Sequence, residues 1–302
     1  NVAFHSVDFG GVRGKGAATK LLFPIRLLKA VRQARAVISS VKPDVVLGMG
    51  GYITVPGGLA AKLAGVPIVL HEQNSIAGLS NKLLAKIAAR VLSGFPNVLP
   101  NALWLGNPVK IAMTDLAKPE QRFKERAVDA PLRIAVVGGS LGAQALNTVV
   151  PQALAKLPVA QRPEVVHQAG EKMIDALNAN YTQAGVSAEC VPFIHDMAAL
   201  YAGSDLLICR AGAMTISELA AAGVASILVP YPHAVDDHQT AHAKLLPDVG
   251  AATCIAQKDL TPEWLANTLA GLTRESLLQQ AQAAQTDAKP NATADVAKIC
   301  VD

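Results

Sequence analysis

The sequence predicts an α/β protein with two Rossmann-like, doubly wound domains, each built on a parallel sheet. Three observations support this fold. Short apolar runs alternate with longer stretches of helical periodicity, as in repeated βα units. The alternation stops over residues 107–131, which are rich in charge and contain three prolines, and then starts again. The length of 302 residues fits two domains of ordinary size.

The first half of the chain contains clear βα repeats. Residues 44–48, 67–71 and 90–93 have the apolar, β-rich character of short buried strands. Residues 56–63 and 76–89 have the spacing of helices and lie between those strands. This order of elements favours a parallel sheet with helices on both faces.

The second half repeats the pattern after the break. A continuous apolar run leads into a glycine-rich turn and then into a helix from Ala143. Five strands are predicted, at residues 132–137, 164–167, 188–191, 205–209 and 225–229. Beyond Thr261 the chain is predicted to be helical. Ligands of such sheets bind at the carboxyl ends of the strands, so the loops that follow strands are the candidate sites.

The same pattern predicts where the domains begin and end. We expect an N-terminal domain over residues 1–106, a linker with one short helix over 107–131, and a second domain over 132–285. Residues 286–302 are expected to form a C-terminal helix that packs back toward the first domain. Because Asn1 already lies inside an alternating, strand-like run, the first domain is expected to lack its N-terminal βα unit.

Composition excludes several classes of protein. Half of the residues are hydrophobic (51%) and the mean hydropathy is +0.31, which excludes a disordered chain. No apolar run approaches the about 20 residues that a membrane-spanning helix needs. The four cysteines are scattered without paired spacing, which argues against disulfides and a structural zinc site. Residues 1–126 carry 17 basic and 6 acidic residues, whereas residues 127–302 carry 10 and 17.

The glycine-rich turn at residues 138–142 allows more than one function. Glycines before a helix let the backbone approach an anion, so a phosphate site is one interpretation and a simple tight turn is another. The same residues match the Gly-x-Ser-x-Gly elbow of serine hydrolases, with Ser140 as the nucleophile. Such an enzyme also needs an acid, for which Asp205 or Asp236 are candidates, and a histidine, for which His233 is one.

A second loop, residues 210–218, also follows a predicted strand and opens a helix. Small residues precede Glu218, whose carboxylate could accept hydrogen bonds from a sugar diol. The alternative is that Thr215 caps the helix and Glu218 completes a capping box.

Residues 230–242 form the densest polar cluster in the chain. His238 and His242 have the spacing of a helical metal-ligand pair, but no glutamate accompanies them, so no metal site is expected. The chain also contains no Asp-x-Asp pair that could bridge a cation to a diphosphate. We therefore expect helix N-termini to neutralise any bound diphosphate, and no cofactor is predicted.

Residues 9–43 contain eight basic residues and no acidic residue, interleaved with apolar ones. This composition favours a helix that binds an anionic membrane surface. The alternatives are an ordinary amphipathic helix or a nucleic-acid site, and an aromatic content of 4% argues against base stacking. The residues predicted to meet the membrane are Arg26, Lys29, Arg32, Arg35, Leu21, Leu22, Phe23 and Leu28.

Taken together, these segments resemble the MurG family of bacterial glycosyltransferases, which move N-acetylglucosamine from UDP-GlcNAc to the undecaprenyl-linked acceptor lipid I. The resemblance extends from Gly11 to the C-terminus. It rests on seven ordered segments: Gly11-Val-Arg-Gly-Lys-Gly, Pro43-Asp-Val-Val-Leu-Gly-Met-Gly-Gly-Tyr, His71-Glu-Gln-Asn, Gly106-Asn-Pro-Val, Gly138-Gly-Ser-Leu-Gly-Ala, Cys209-Arg-Ala-Gly-Ala-Met-Thr-Ile-Ser-Glu and the cluster at 236–239.

The resemblance implies a GT-B fold, in which two domains face a cleft, and it implies roles for particular residues. Glu218 would bind the ribose, Ile194 the uracil and Gln239 the hydroxyls of GlcNAc. The full set of implied binding residues is Asn74, Lys110, Ser140, Ile194, Ala213, Met214, Thr215, Ile216, Ser217, Glu218, Gln239 and His242.

The implied reaction is an inverting displacement, in which the C4 hydroxyl of MurNAc attacks C1 of GlcNAc and UDP leaves. The family's N-terminal glycine-rich loop, with its candidate histidine base, precedes Asn1, so His71 or Glu72 is the candidate base here. Lys110 and His242 replace a family arginine and asparagine.

We expect a peripheral enzyme on the cytoplasmic face of the inner membrane that, as this chain alone, has little activity. The alternatives are the serine hydrolase and a non-catalytic nucleotide-sugar-binding module.

Overall fold

The computed structural model describes residues 3–10, 21–127, 129–139, 142–233 and 238–302. Contacts divide the chain into two compact units. The first comprises Asn1–Pro108 together with Asn291–Asp302, and the second comprises Val109–Pro290. Residues 109–131, expected to be a linker, thus belong to the second unit, and the C-terminal segment belongs to the first.

The first unit contains a four-stranded parallel sheet in the order β1-β2-β3-β4. Its strands are β1 (Val46–Gly48), β2 (Ile68–Glu72), β3 (Arg90–Ser93) and β4 (Leu103–Trp104). Its helices are α1 (Phe23–Val41), α2 (Thr54–Leu63), α3 (Leu79–Leu84) and, from the C-terminus of the chain, α13 (Ala292–Val301).

The core of the first unit forms between the sheet and its helices. Every residue of β2 is buried. Val296 of α13 packs with Val69 and Leu92 of the sheet, so the last helix is part of this core. The strand expected at the start of the chain is absent from residues 3–10, because no described strand offers it a backbone ladder.

The second unit contains a six-stranded parallel sheet in the order β10-β9-β8-β5-β6-β7. Its strands are β5 (Arg133–Val137), β6 (Glu164–Gln168), β7 (Glu189–Val191), β8 (Leu206–Cys209), β9 (Ala225–Leu228) and β10 (Ala252–Cys254). Its helices are α4 (Ile111–Thr114), α5 (Pro119–Lys124), α6 (Gln144–Lys156), α7 (Ile174–Ala184), α8 (Met197–Gly203), α9 (Ala213–Ala222), α10 (His238–Asp248), α11 (Pro262–Ala270) and α12 (Arg274–Ala284).

The order of this sheet reverses at β5. The chain continues to β6 on one side of β5, whereas β8 pairs with its other side. In an open parallel sheet, a crevice forms outside the carboxyl ends of the strands where the order reverses. The turns that follow β5 and β8 therefore meet at the best position in this unit for a ligand.

A buried arginine holds the helix α5 against α8 and α9, within the second unit. Arg122 Nη2 donates to the carbonyls of Ala222, at 2.7 Å, and Gly223, and Nη1 donates to that of Tyr201 at 3.1 Å. These carbonyls lie at the end of α9 and within α8, where a cation complements the helix dipole. Arg122, which precedes β5 in the chain, thus fixes the C-terminal end of α9, the helix that begins within the second candidate loop.

A buried polar network joins β6 to α6 and α7. His167 is fully buried, with Nδ1 2.9 Å from the Tyr181 hydroxyl and Nε2 3.1 Å from Asn147 Oδ1. Since Asn147 Nδ2 donates to the carbonyl of Ala169, its Oδ1 accepts from His167 Nε2, which places a proton on Nε2. Burial lowers the pKa of His167 to about 3.

Over the described ranges, no helix combines the length and the apolar character required to cross a membrane.

The depressed pKa of His167 predicts acid lability of the second unit. The unfolded chain binds a proton on this residue below about pH 6.5, while the folded chain does so only near pH 3, so stability falls as the pH falls through this window. From about pH 6.5 to about pH 5 the loss is about 2 kcal/mol. The free energy of unfolding of His167→Gln, measured with denaturant across this pH range, should lack this pH-dependent loss. As a control, replacing the exposed His195 by Gln should leave the pH-dependent loss of stability unchanged. Equal pH slopes of the free energy of unfolding for wild type and His167→Gln would contradict the prediction.

Candidate active site

The turn after β5 is shaped by glycines at positive φ. Gly139 has φ +85° and Gly142 has φ +73°. A Cβ added to Gly142 would overlap the carbonyl oxygen of Ala169, so only glycine fits there. Gln168 Nε2 donates to the carbonyl of Gly139 at 2.9 Å and fixes the turn from the next strand. Ser140 lies outside the described residues.

The turn after β8 leads into α9, whose N-terminus has no side-chain cap. Gly212 is the N-cap residue, and Ile216 N is the donor that bonds back to its carbonyl, at 2.9 Å. The N–H groups of residues 213–215 thus belong to the first turn, where no carbonyl of the helix is in reach. Thr215 lies inside the helix rather than at its start, so the predicted capping box with Glu218 does not form.

Other predicted residues of α9 have different surroundings. The side chain of Ile216 is buried, and the Ser217 hydroxyl donates to the carbonyl of Ala213 at 3.0 Å. Met214 is exposed. A ligand at this helix would therefore meet backbone N–H groups and the Thr215 side chain, rather than the side chains of Ile216 and Ser217.

A cavity of about 970 Å³ lies between the two turns. Its described lining contains one cation, Arg210, and no carboxylate. The lining residues are Val137, Gly138, Gly139, Gly142, Ala143, Gln144, Ala145, Thr148, Val149, Met173, Arg210, Gly212, Thr215, Tyr231, Gln239 and Gln257. Helix N-termini and a cation around one cavity favour an anionic ligand.

Arg210, Tyr231 and Gln257 are part of this site, although none of them was predicted as a binding residue: Arg210 and Tyr231 lie in the candidate loops 210–218 and 230–242, and Gln257 lies outside both. Arg210 directly follows β8, and its guanidinium lies 5.5 Å from the centre of the Tyr231 ring. Burial lowers the pKa of Arg210. The signal that could have found it is a cation at the carboxyl end of a buried strand, next to the small-residue loop.

Gln239 lies in the cavity with its amide orientation fixed. The backbone N–H of Tyr231 donates to Gln239 Oε1 at 2.9 Å, so the Nε2 group is presented as a donor. His242 is fully buried instead, with Nδ1 3.2 Å from the carbonyl of Ala211. His242 thus contacts the turn after β8 from the interior of the unit. This geometry does not support direct contact between His242 and a ligand.

The rings of His238 and His242 are 5.5 Å apart. Within the part of the chain that the structure describes, no three His, Cys, Asp or Glu side chains are grouped as metal ligands would be.

Glu218 lies one turn beyond the cavity lining, half-buried beside a fully buried tyrosine. The Tyr201 hydroxyl donates to its Oε2 at 3.5 Å. Burial raises the pKa of Glu218, and the hydrogen bond from Tyr201 and the charge of Lys110 oppose that rise. Ile194 is half-buried and is likewise not among the cavity residues.

In the first unit, Glu72 is a buried structural carboxylate. Its Oε1 accepts from N and Nδ2 of Asn74, at 2.9 and 3.1 Å. Its Oε2 accepts from Gly78 N at 3.0 Å and from Asn81 Nδ2 at 2.8 Å. Four hydrogen bonds occupy both oxygens, so the predicted role of Glu72 as a base is not supported by this geometry.

His71 is also fully buried, with Nε2 2.9 Å from the carbonyl of Gly106 and no hydrogen-bond partner for Nδ1. Burial lowers the pKa of His71. The ring is thus neutral and has no exposed surface through which to meet a substrate. Asn74 is half-buried at the carboxyl end of β2, with its amide N–H groups turned to Glu72.

The serine hydrolase alternative loses one of its candidate acids. Asp205 precedes β8, at the opposite end of the sheet from the turn that contains Ser140. Its carboxylate accepts from Arg126 Nε at 3.3 Å and from Arg133 N at 2.8 Å. It is therefore a structural group, while the other candidate, Asp236, lies outside the described residues.

Comparisons with known proteins give the family. Residues 1–93 match the glycosyltransferase family 28 N-terminal domain, and residues 133–298 match its C-terminal domain. The UDP-N-acetylglucosamine–N-acetylmuramyl-(pentapeptide) pyrophosphoryl-undecaprenol N-acetylglucosamine transferase of Cupriavidus metallidurans is 59% identical over 300 residues, 99% of this chain and 84% of the relative. The protein of the same name from Dechloromonas aromatica is 55% identical, over 97% of this chain and 83% of the relative.

Solved structures agree with this result. The crystal structure of Acinetobacter baumannii MurG is 40% identical and superimposes with a TM-score of 0.86, covering 100% of this chain and 85% of that one. A UDP-GlcNAc 2-epimerase from Neisseria meningitidis, 12% identical with a TM-score of 0.63, shares the fold alone. The chain therefore has the GT-B fold and belongs to the MurG group of glycosyltransferase family 28.

Proposed function

We propose that the chain transfers N-acetylglucosamine from UDP-GlcNAc to the C4 hydroxyl of MurNAc in lipid I, the undecaprenyl-linked acceptor, to form lipid II. The observation that carries this proposal is the cavity at the reversal of the second sheet, where an uncapped helix N-terminus and Arg210 surround a space whose described lining holds no carboxylate. That arrangement suits the diphosphate of the donor, whose negative charge grows as UDP leaves.

The donor's other parts are assigned to the residues around this cavity. Glu218 accepts from the ribose hydroxyls, because Tyr201 occupies only one of its oxygens. Ile194 packs against the uracil, and Ser140 with its turn lies beside the nucleotide. Gln239 donates from Nε2 to the hydroxyl oxygens of GlcNAc, since its Oε1 is already used.

The acceptor is assigned to the first unit, at the carboxyl end of β2. The backbone N–H of Asn74 and one N–H of its side-chain amide are bonded to Glu72, which leaves the second amide N–H and the side-chain carbonyl oxygen to bond a sugar hydroxyl. Glu72 acts here as a positioning residue that shapes the loop. The charge of Lys110 lies close enough to Glu218 to affect it, so Lys110 is assigned to the donor side.

Membrane attachment is assigned to one face of α1. Ile25 and Leu28 of this helix are exposed beside its basic residues, and Leu21 and Leu22, which directly precede the helix, are exposed as well. Lys29 also forms an exposed ion pair with Asp8, at 2.9 Å. An exposed apolar face flanked by cations favours binding to anionic headgroups, and the proposed location is the cytoplasmic face of the inner membrane.

The donor assignment predicts a selective defect in Glu218→Gln. Removing the charge from a group that accepts from ribose should raise the Kd for UDP about tenfold. Calorimetric titration with UDP measures the change. The exposed Glu275→Gln of α12 serves as a control with the same change of charge in the same unit. Wild-type affinity in Glu218→Gln would contradict the assignment.

The membrane assignment predicts weaker attachment when Arg26, Lys29, Arg32 and Arg35 are replaced by glutamine. Each lost charge should cost about 1 kcal/mol of binding to anionic vesicles. Co-sedimentation with phosphatidylglycerol-containing liposomes measures the effect. A matched control replaces four exposed lysines of the second unit, Lys124, Lys172, Lys244 and Lys258, by glutamine. Equal losses for the two sets would assign the attraction to overall charge and contradict the proposal.

Transfer itself separates the proposal from its alternatives. With UDP-GlcNAc and lipid I, the protein should release UDP and form lipid II. A non-catalytic binding module would bind UDP-GlcNAc without releasing UDP, and a serine hydrolase would react with a fluorophosphonate at Ser140.

A further inference from the structure

The acceptors that the described residues offer to Arg210 in the cavity are all neutral. Nη1 donates to the carbonyls of Val229, at 3.1 Å, and Pro230, at 3.3 Å. Nη2 donates to Oε1 of Gln257 at 2.6 Å. Among the described residues, no carboxylate forms an ion pair with this guanidinium. Within the part of the chain that the structure describes, its positive charge is therefore oriented but not compensated.

Of the three acceptors, Gln257 is the one that a side chain supplies. It follows β10, the outer strand, and reaches over β9 to the end of β8, so the contact spans three neighbouring strands. A short hydrogen bond to a charged donor is among the stronger interactions of this type. The direction of the Nη2 edge of Arg210 thus depends on this amide.

The neutrality of Gln257 matters as much as its position. A glutamate there could accept the same hydrogen bond, but its charge would cancel that of Arg210 inside a partly desolvated cavity, where charges interact more strongly than in water. An amide oxygen also accepts from the guanidinium, but it leaves the positive charge of Arg210 to the ligand. The same cavity contains no other described cation that could replace Arg210.

We propose that Gln257 is a positioning residue that aims the Arg210 guanidinium into the cavity and, because it is neutral, keeps that charge for the diphosphate of the nucleotide-sugar. The proposal rests on the donor function proposed above and extends it to a residue that acts through Arg210. It also makes the strength of binding depend on the number of phosphate charges of the ligand.

The test compares charge and shape at position 257 by calorimetry, with uridine, UMP and UDP as ligands. Gln257→Glu keeps an acceptor oxygen and should weaken UDP binding about tenfold and UMP binding less, while uridine is unaffected. Gln257→Leu removes the acceptor and should weaken UDP binding about threefold. Gln183→Glu, on the exposed side of α7, adds the same charge to the same unit and should change nothing.

A second arm asks whether Gln257 acts through Arg210. In an Arg210→Met background, Gln257→Leu should cause no further loss of UDP affinity, because the amide then has no guanidinium to aim. Thermal unfolding of each variant, compared with wild type, identifies any loss that results from misfolding rather than from the site. The wild-type chain provides the reference for every ligand.

The outcomes are distinct. Wild-type affinity for UDP in Gln257→Glu, or an equal loss for uridine and UDP, would overturn the proposal, since a purely structural residue would behave in that way. Equal effects of Gln257→Leu with and without Arg210 would also overturn it. Failure of the wild type to bind UDP would overturn the donor function as well. If the wild type binds UDP and substitutions at position 257 leave that affinity unchanged, this inference alone is overturned.

Discussion

In the second unit, the reversal of strand order at β5 decides where chemistry can occur. Parallel strands end at one edge of a sheet, and each is followed by a helix that starts there. The turns after β5 and β8 therefore bring two helix N-termini to one cavity. The exposed N–H groups and Arg210 give that cavity a positive potential, although residues 127–302 are acidic overall. Local geometry outweighs net charge at this point.

Much of the remaining structure keeps this cavity in shape. Arg122 ties the C-terminal end of α9 to α5, so the helix that opens the site is held at the end opposite the cavity. His167 and Asn147 join β6 to α6, the helix that follows the glycine turn. Gly142 packs against a backbone carbonyl where no side chain would fit. These contacts act by limiting how far the turns can move, as preorganised sites require.

The pattern of the sequence predicts the fold well where elements are long and buried. Strands such as β2 and β8, buried throughout, are predicted within a residue of their observed bounds. The two-residue β4 was missed, since so short a strand has no periodicity to detect.

Site residues were predictable from the sequence where the position of a strand places them, and not where their roles depend on contacts between distant parts of the chain. Loops after strands were found because topology places ligands there, but Gln257 joins Arg210 across 47 positions of sequence, which no local pattern contains. The candidate base Glu72 was chosen for its chemistry alone, and its four hydrogen bonds are visible only in three dimensions.

The central claim is that the second unit binds the donor diphosphate at the start of α9. A crystal structure with UDP-GlcNAc tests it most directly. The account predicts phosphate oxygens within hydrogen-bond distance of the backbone N–H groups of residues 213–215 and of the Arg210 guanidinium, with the ribose toward Glu218. A diphosphate bound elsewhere in the unit, for example in the depression beside Lys156 and Asn180, would contradict the claim.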